Sequence, residues 1–295
     1  MRNSYKLGTK WTLFTAGLLA VGFLISSESG ATVDSSSKPF LSIQKRLIAD
    51  GFDPLIINKL YHQPDVFFEA DGVTLLFTYR EARVDYAQFT NNWSIGKARQ
   101  YMQKYEADLA RIEEQYRVDK KVITAILLVE TGLGASMGTR STLNTLSTMA
   151  ALMDPAVREM LWDLIPDSKK ISRKKFERRA AARSKWAYEE LKAFLKYADR
   201  EGFDPTTIPG SFAGAVGVAQ FVPTSILAYG RDGDDDGTVD MLNHIDAMAS
   251  VANFLKSHGW RQGQDRKKAE KIIHYYNHST YYVSTILEIA KLLKT

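Results

Sequence analysis

From Pro39 onward, apolar residues recur mainly at three- and four-residue steps, and a chain patterned this way must bury one face of each helix against other helices. Phe40, Ile43, Leu47 and Ile48 make one such face, and Ile56, Ile57 and Leu60 another, on either side of the turn signal Asp53-Pro54. A long helix is expected over residues 94–116, with Ala98, Tyr101, Met102, Tyr105, Leu109 and Ile112 on one stripe. Arg117-Val118-Asp119 interrupts it, and Asp119 is placed to cap the next helix. Strand is expected only around residues 73–79, and no repeat of 20 to 50 residues is visible. Final helices are expected over residues 245–258 and 268–293, with no clear cap between Asn277 and Tyr282. The expected fold is mainly α. At 295 residues with 45% hydrophobic composition, the chain can bury one large or two modest cores.

The first 31 residues have a different pattern. Arg2, Lys6 and Lys10 precede an uncharged apolar run of 15 residues, 11–25, and Ser29 and Ala31 follow as a small-x-small pair. This is the order of an export signal, and the run is shorter than the ~20 residues of a spanning helix. Removal of residues 1–31 is expected, with an uncleaved anchor as the alternative. Residues 32–39 then form a short tether ahead of a chain that is soluble outside the cytoplasm. The sequence has no Cys, so disulfides, thiolate metal sites and acyl anchoring at a processed cysteine are excluded. A net charge of +5 is too small to point to a nucleic-acid partner, and none is expected. The basic residues do cluster: nine of them meet a single acid, Glu177, over residues 169–185. That run is either a solvated helix face or a cationic surface for an anionic polymer.

The helix opened by Asp119 carries Val122, Ile123, Ile126 and Leu127 on its apolar stripe, and the next position on that stripe is Glu130. Thr131-Gly132-Leu133-Gly134 ends the helix at once, placing a carboxyl beside a glycine loop. Desolvation there raises a carboxyl pKa, as a general acid requires; a buried Glu paired with an Arg such as Arg140 is the alternative. Further on, Gly210-Ser211-Phe212-Ala213-Gly214-Ala215-Val216-Gly217 has three glycines in eight residues and leads into Gln220-Phe221. Backbone there must approach another helix or a ligand closely.

Glu130-Thr131, the Gly214-to-Gly217 run with Gln220-Phe221-Val222-Pro223, and Tyr276-Asn277-His278-Ser279 resemble, in order, the motifs of membrane-bound lytic transglycosylase B and its relatives. The resemblance covers most of the chain after the export signal and is strongest over residues 118–260. It implies a lysozyme-like helical fold, with an N-terminal helical part at 40–118 and a catalytic core at 119–295. It also implies cleavage of the MurNAc–GlcNAc β-1,4 bond of peptidoglycan glycan strands, leaving 1,6-anhydro-MurNAc ends. On it, Glu130 matches the single catalytic acid/base, Ser211 a hydroxyl that bonds the catalytic carboxyl, and Gln220 a glycan-contacting amide. Tyr276 and Asn277 match a pair lining the opposite side of the cleft. Two features depart from the family: its Arg-Arg pair is Ala182-Arg183 here, and residues 169–185 look inserted.

Asp232-Gly233-Asp234-Asp235-Asp236-Gly237-Thr238 opens like an EF-hand calcium loop, with carboxylates at positions 1, 3 and 5, glycine at 6 and the Thr238 carbonyl at 7. Position 12 is Asn243 rather than Glu. The resemblance implies a longer loop, 232–246, closed by Asp246 at the fifteenth position. A structural Ca²⁺ on Asp232, Asp234, Asp236, Thr238 and Asp246 is therefore expected, with no organic cofactor; an empty acidic turn is the alternative. For the whole chain, an inactive peptidoglycan-binding module and a calcium-dependent polyanion-binding protein stand as alternatives to the enzyme.

Overall fold

A computed structural model describes residues 39–78 and 85–294; the export signal and the tether lie outside the described residues. The N-terminal helices are α1 (Leu41–Ala49), α2 (Pro54–Tyr61), α3 (Ala70–Thr78), α4 (Asn92–Lys104) and α5 (Glu106–Tyr116), with a 3₁₀ turn at Tyr86–Phe89. Then follow α6 (Lys120–Thr131), α7 (Thr142–Ala151), α8 (Pro155–Leu164), α9 (Arg173–Glu201) and α10 (Pro223–Tyr229). The chain closes with α11 (His244–Ser257), α12 (Arg266–Tyr276) and α13 (Thr280–Leu292). The two described strands, β1 (Arg140–Ser141) and β2 (Pro209–Gly210), make one short antiparallel pair with Arg140 opposite Gly210.

The centre of the molecule is α6. Every residue from Val122 to Thr131 is buried, so neighbours must cover it on all sides: α13 runs along it, and α4, α5 and α11 close the rest. Each fully buried Val, Leu or Ile contributes about 1.5–3 kcal/mol, so the position of α6 is fixed by its own composition. A second packed pair, α7 on α9, continues the same apolar core.

Three expected elements differ. Residues 73–78 are not strand but the body of α3, because Glu69 accepts the Gly72 N–H at 3.0 Å and so caps a helix at its N-terminus. The helix expected over 94–116 divides at Tyr105, whose φ of −110° and ψ of 31° bend the chain between α4 and α5. The bend brings the Tyr105 ring to 4.7 Å from Tyr101 and 5.3 Å from His244, centroid to centroid. The last helix divides at Asn277, which is extended, and Ser279 caps α13 by accepting the Tyr282 N–H.

Candidate active site

Asp119 begins α6 as expected, its carboxylate accepting the Lys121 N–H at 2.9 Å. Ten buried residues later the helix stops at Gly132, which is left-handed at φ 60°. Glu130 therefore sits at a helix end with 5% of its surface exposed. The Tyr282 hydroxyl, from the first turn of α13, donates to Glu130 Oε1 at 2.7 Å. Burial pushes the Glu130 carboxyl up to about 8, and the Tyr282 hydrogen bond pulls only partly the other way. Burial also holds the Tyr282 hydroxyl well above its ordinary value, so it keeps its proton and acts as the donor. Arg140 is engaged elsewhere, in a 2.6 Å ion pair with Glu69. Among the described residues Glu130 has no ion pair, so the alternative of a buried Glu–Arg pair does not hold.

The glycine-rich segment packs against the end of α6. A Cβ on Gly217 would lie 1.9 Å from the Met241 carbonyl, so only glycine allows this approach, and the Val218 N–H then donates to that carbonyl at 2.9 Å. The Val218 carbonyl in turn accepts the Thr131 hydroxyl at 2.8 Å, and the Thr131 oxygen accepts the Gly134 N–H at 2.9 Å. On the other side, the Tyr276 hydroxyl donates to the Ala219 carbonyl at 2.5 Å. The Tyr276 ring lies parallel to that of Tyr282, 8° apart, with centroids 6.3 Å apart. Gln220, at φ 49°, donates its amide to the Gly217 and Met137 carbonyls. Glu190 of α9 caps α10 from outside, accepting the Thr224 N–H and hydroxyl, each at 2.8 Å. Burial pushes the Glu190 carboxyl up to about 7.

Two other expected site residues are buried in the supporting structure. The Ser211 oxygen accepts the Ala215 N–H at 3.1 Å, inside its own turn, while the hydroxyl bonded to Glu130 is that of Tyr282. Asn277 accepts the Ser279 N–H, and its Nδ2 is buried with no hydrogen-bond partner among the described residues.

Glu130 lines a cleft of about 280 Å³, together with Thr131, Gly132, Ala135 and Ser136 from its own side. The facing wall is Gln88, Phe89, Asn91, Trp93, Ser94 and Lys97, from the 3₁₀ turn and the start of α4. The sequence reading missed this wall, and it missed Tyr282 as the partner of Glu130. Trp93 and Lys97, four residues apart and off the buried stripe of α4, are the signal that marks it.

In the acidic loop, Asp232, Asp234 and Asp246 bring carboxylate oxygens within 4.8 Å of one another. Asp246 is fully buried and accepts the Gly233 and Asp240 N–H groups, both at 2.7 Å. Burial, with Asp234 and Asp232 adding to it, raises the Asp246 carboxyl to about 6. The Asp236 side chain accepts the Thr238 N–H, and Asn243 donates to Asp234 at 2.8 Å. In the basic segment, Arg173 pairs with Glu159 and Glu177, Lys170 pairs with Asp167, and Arg179 donates to the Leu76 and Phe77 carbonyls. Of the nine basic residues in this segment, Lys170 and Arg173 have carboxylate partners among the described residues.

The cleft thus holds one uncharged carboxyl at a helix end, on a mainly helical, lysozyme-like fold. Soluble lytic transglycosylase SltB1 from Pseudomonas aeruginosa superposes with a TM-score of 0.70 at 23% identity, covering 85% of this chain and 97% of that one. The Escherichia coli lytic transglycosylase Slt35, in complex with calcium, superposes with a TM-score of 0.65 at 21% identity, covering 87% and 92%. The chain belongs to the transglycosylase SLT domain family, whose model matches residues 42–269. Over 163 residues, 55% of this chain, it is 33% identical to membrane-bound lytic murein transglycosylase B of Escherichia coli (strain K12); the match spans 38% of that relative's length.

The raised carboxyl makes stability depend on pH. Below about 4.5 Glu130 is protonated in both folded and unfolded chains; between there and about 8 only the unfolded chain loses the proton, so this contribution falls as pH rises. Glu130→Gln, which carries no titrating group, should gain on the parent protein across that window, by at most about 1.4 kcal/mol per pH unit. Urea unfolding at pH 5 and pH 8 reads the difference; equal differences at both would contradict a raised Glu130.

Proposed function

We propose that the protein is a peptidoglycan lytic transglycosylase that cleaves the MurNAc–GlcNAc β-1,4 bond and leaves 1,6-anhydro-MurNAc ends. One observation carries the reading: Glu130, held uncharged by burial, is the only carboxyl among the described residues that line the cleft. Most glycosidases use a second carboxylate, as nucleophile or as base for water. With one, the substrate must supply the rest. Glu130 gives its proton to the glycosidic oxygen as the C1–O bond breaks, and the MurNAc N-acetyl oxygen stabilises the cationic carbon. The C6 hydroxyl of the same sugar then forms the new C1–O bond, and its proton returns to the Glu130 carboxylate. No water is consumed, and the intramolecular attack has a high effective concentration. The Tyr282 hydrogen bond favours the carboxylate produced midway, so the proton can leave as well as return. In this reading Gln220, whose amide holds the loop, contacts the glycan, with Ser211, Tyr276 and Asn277 behind it; none of the four is among the residues that line the cleft of Glu130.

Loop 232–246 is an EF-hand-like calcium site in this reading. Its hard oxygen donors suit that ion: the gathered carboxylates of Asp232, Asp234 and Asp246, with Asp236 and the Thr238 carbonyl to complete the set. The ion neutralises the clustered carboxylates, and the Met241 carbonyl near the loop's end is what Val218 hangs from. The N-terminal part, α1 to α5, adds the second cleft wall to the lysozyme-like core. Residues 1–31 direct export to the periplasm, where the substrate is. No helix of the described residues is long and apolar enough to cross a membrane.

Digestion of purified peptidoglycan should release products ending in 1,6-anhydro-MurNAc, read by mass spectrometry; reducing ends would make water the nucleophile. Glu130→Gln should lose about 10²–10⁴ in rate while still binding glycan. Calcium should raise the melting temperature, since a ligand at a hundredfold excess over its Kd stabilises the folded state by about 2.7 kcal/mol. Asp246→Asn should remove that calcium-dependent increment, and equal melting temperatures with calcium and with chelator would count against the site.

A further inference from the structure

The wall facing Glu130 carries a feature that the reaction above does not use. Asn91 caps α4 by accepting the Ser94 N–H at 2.9 Å, and the Ser94 hydroxyl donates to the Gln88 carbonyl at 2.6 Å, which pins the first turn of the helix. Trp93 stands in that turn, 68% exposed, with its indole in the cleft rather than in the core. Lys97 follows one turn later on the same face, its Nζ 3.7 Å from the centre of the Trp93 ring. It is the only cationic residue among the described residues that line the cleft, and it pairs with no carboxylate among them. A lysine lying on an indole has its chain held but its charge unmet, because a cation–π contact is worth far less than an ion pair with a carboxylate. Lys97 lies over the indole, and at 68% exposure the Trp93 ring still offers apolar surface to the CH face of a sugar ring.

We propose that Trp93 and Lys97 form a subsite for a stem-bearing sugar of the glycan strand. The indole stacks the sugar, and the Lys97 ammonium leaves the ring to pair with a free carboxylate of the attached peptide. This rests on peptidoglycan being the substrate and adds to it a preference for strands whose stems carry free carboxyl groups. Glu130 and Lys97 thus divide the work across one cleft: the neutral acid meets the scissile oxygen, and the cation meets the charge that distinguishes this glycan from an uncharged one.

The test uses soluble peptidoglycan fragments and the same fragments with their carboxyl groups converted to amides. Affinity is measured calorimetrically in the Glu130→Gln background, where the fragments are not turned over, and release of anhydro ends is measured without that substitution. Lys97→Gln should weaken binding of the free-acid fragments about tenfold, the order of one charge-assisted contact, and leave the amidated fragments unaffected; Lys97→Arg should restore most of the loss. Trp93→Ala should weaken both sets about equally. Matched melting temperatures will show that the variants fold, as expected for exposed side chains. If the unsubstituted protein cleaves and neither variant differs from it on either set, the subsite is wrong and the transglycosylase reading stands. If the unsubstituted protein releases no anhydro ends but the charge-dependent difference in affinity is found, the transglycosylase reading fails and the subsite stands. A Lys97→Gln loss of equal size on amidated fragments would overturn the carboxylate contact.

Discussion

The structure depends on burying one helix on every side, which keeps the carboxyl group at its end out of water. Helix α6 is apolar over nearly its whole circumference, so it is stable only if helices cover every side of it, and that requirement sets the arrangement of α4, α5, α11 and α13. Glu130 is inside because its helix is, and its neutral form follows from burial without any dedicated charge nearby. Its one side-chain hydrogen bond among the described residues, from the Tyr282 hydroxyl, comes from the helix that packs along α6.

The rest of the site is held by backbone groups. Thr131, next to Glu130, bonds the Val218 carbonyl; the Val218 N–H bonds the Met241 carbonyl; Tyr276 bonds the Ala219 carbonyl. Four peptide units, 217–220, therefore tie the end of α6, the acidic loop and α12 together. The close approach at Gly217 makes the geometry possible, and Glu190 ties the start of α10, beyond the loop, to α9.

Local signals that act through one helix were legible in the sequence. Asp119 as a cap, Glu130 on the stripe of Val122 and Ile126, and the stop at Gly132 all depend on neighbours within about a turn. The close packing of the three glycines, Gly210, Gly214 and Gly217, was legible too, because a run of small residues admits little else. What could not be read depends on contacts distant in the chain. The hydrogen-bond ladder runs through the bend at Tyr105, with Leu109 still bonding Tyr105, so periodicity does not mark it; the rings of Tyr101 and His244 do. Residues 73–78 are a short apolar run, which does not distinguish strand from helix without the Glu69 cap. Tyr282 and Trp93 carry no motif: one reaches Glu130 from 152 positions away, and the other faces it from a separate helix.

The central claim is that Glu130 is uncharged near neutral pH because it is buried, with Tyr282 acting against that shift. Carbon-13 NMR of the glutamate carboxyl, titrated from pH 4 to 10 and assigned by its loss in Glu130→Gln, measures this directly. The midpoint should fall near 8 and should move higher in Tyr282→Phe, where the hydrogen bond that favours the carboxylate is gone. A midpoint near 4.5, or a downward shift in Tyr282→Phe, would contradict the account.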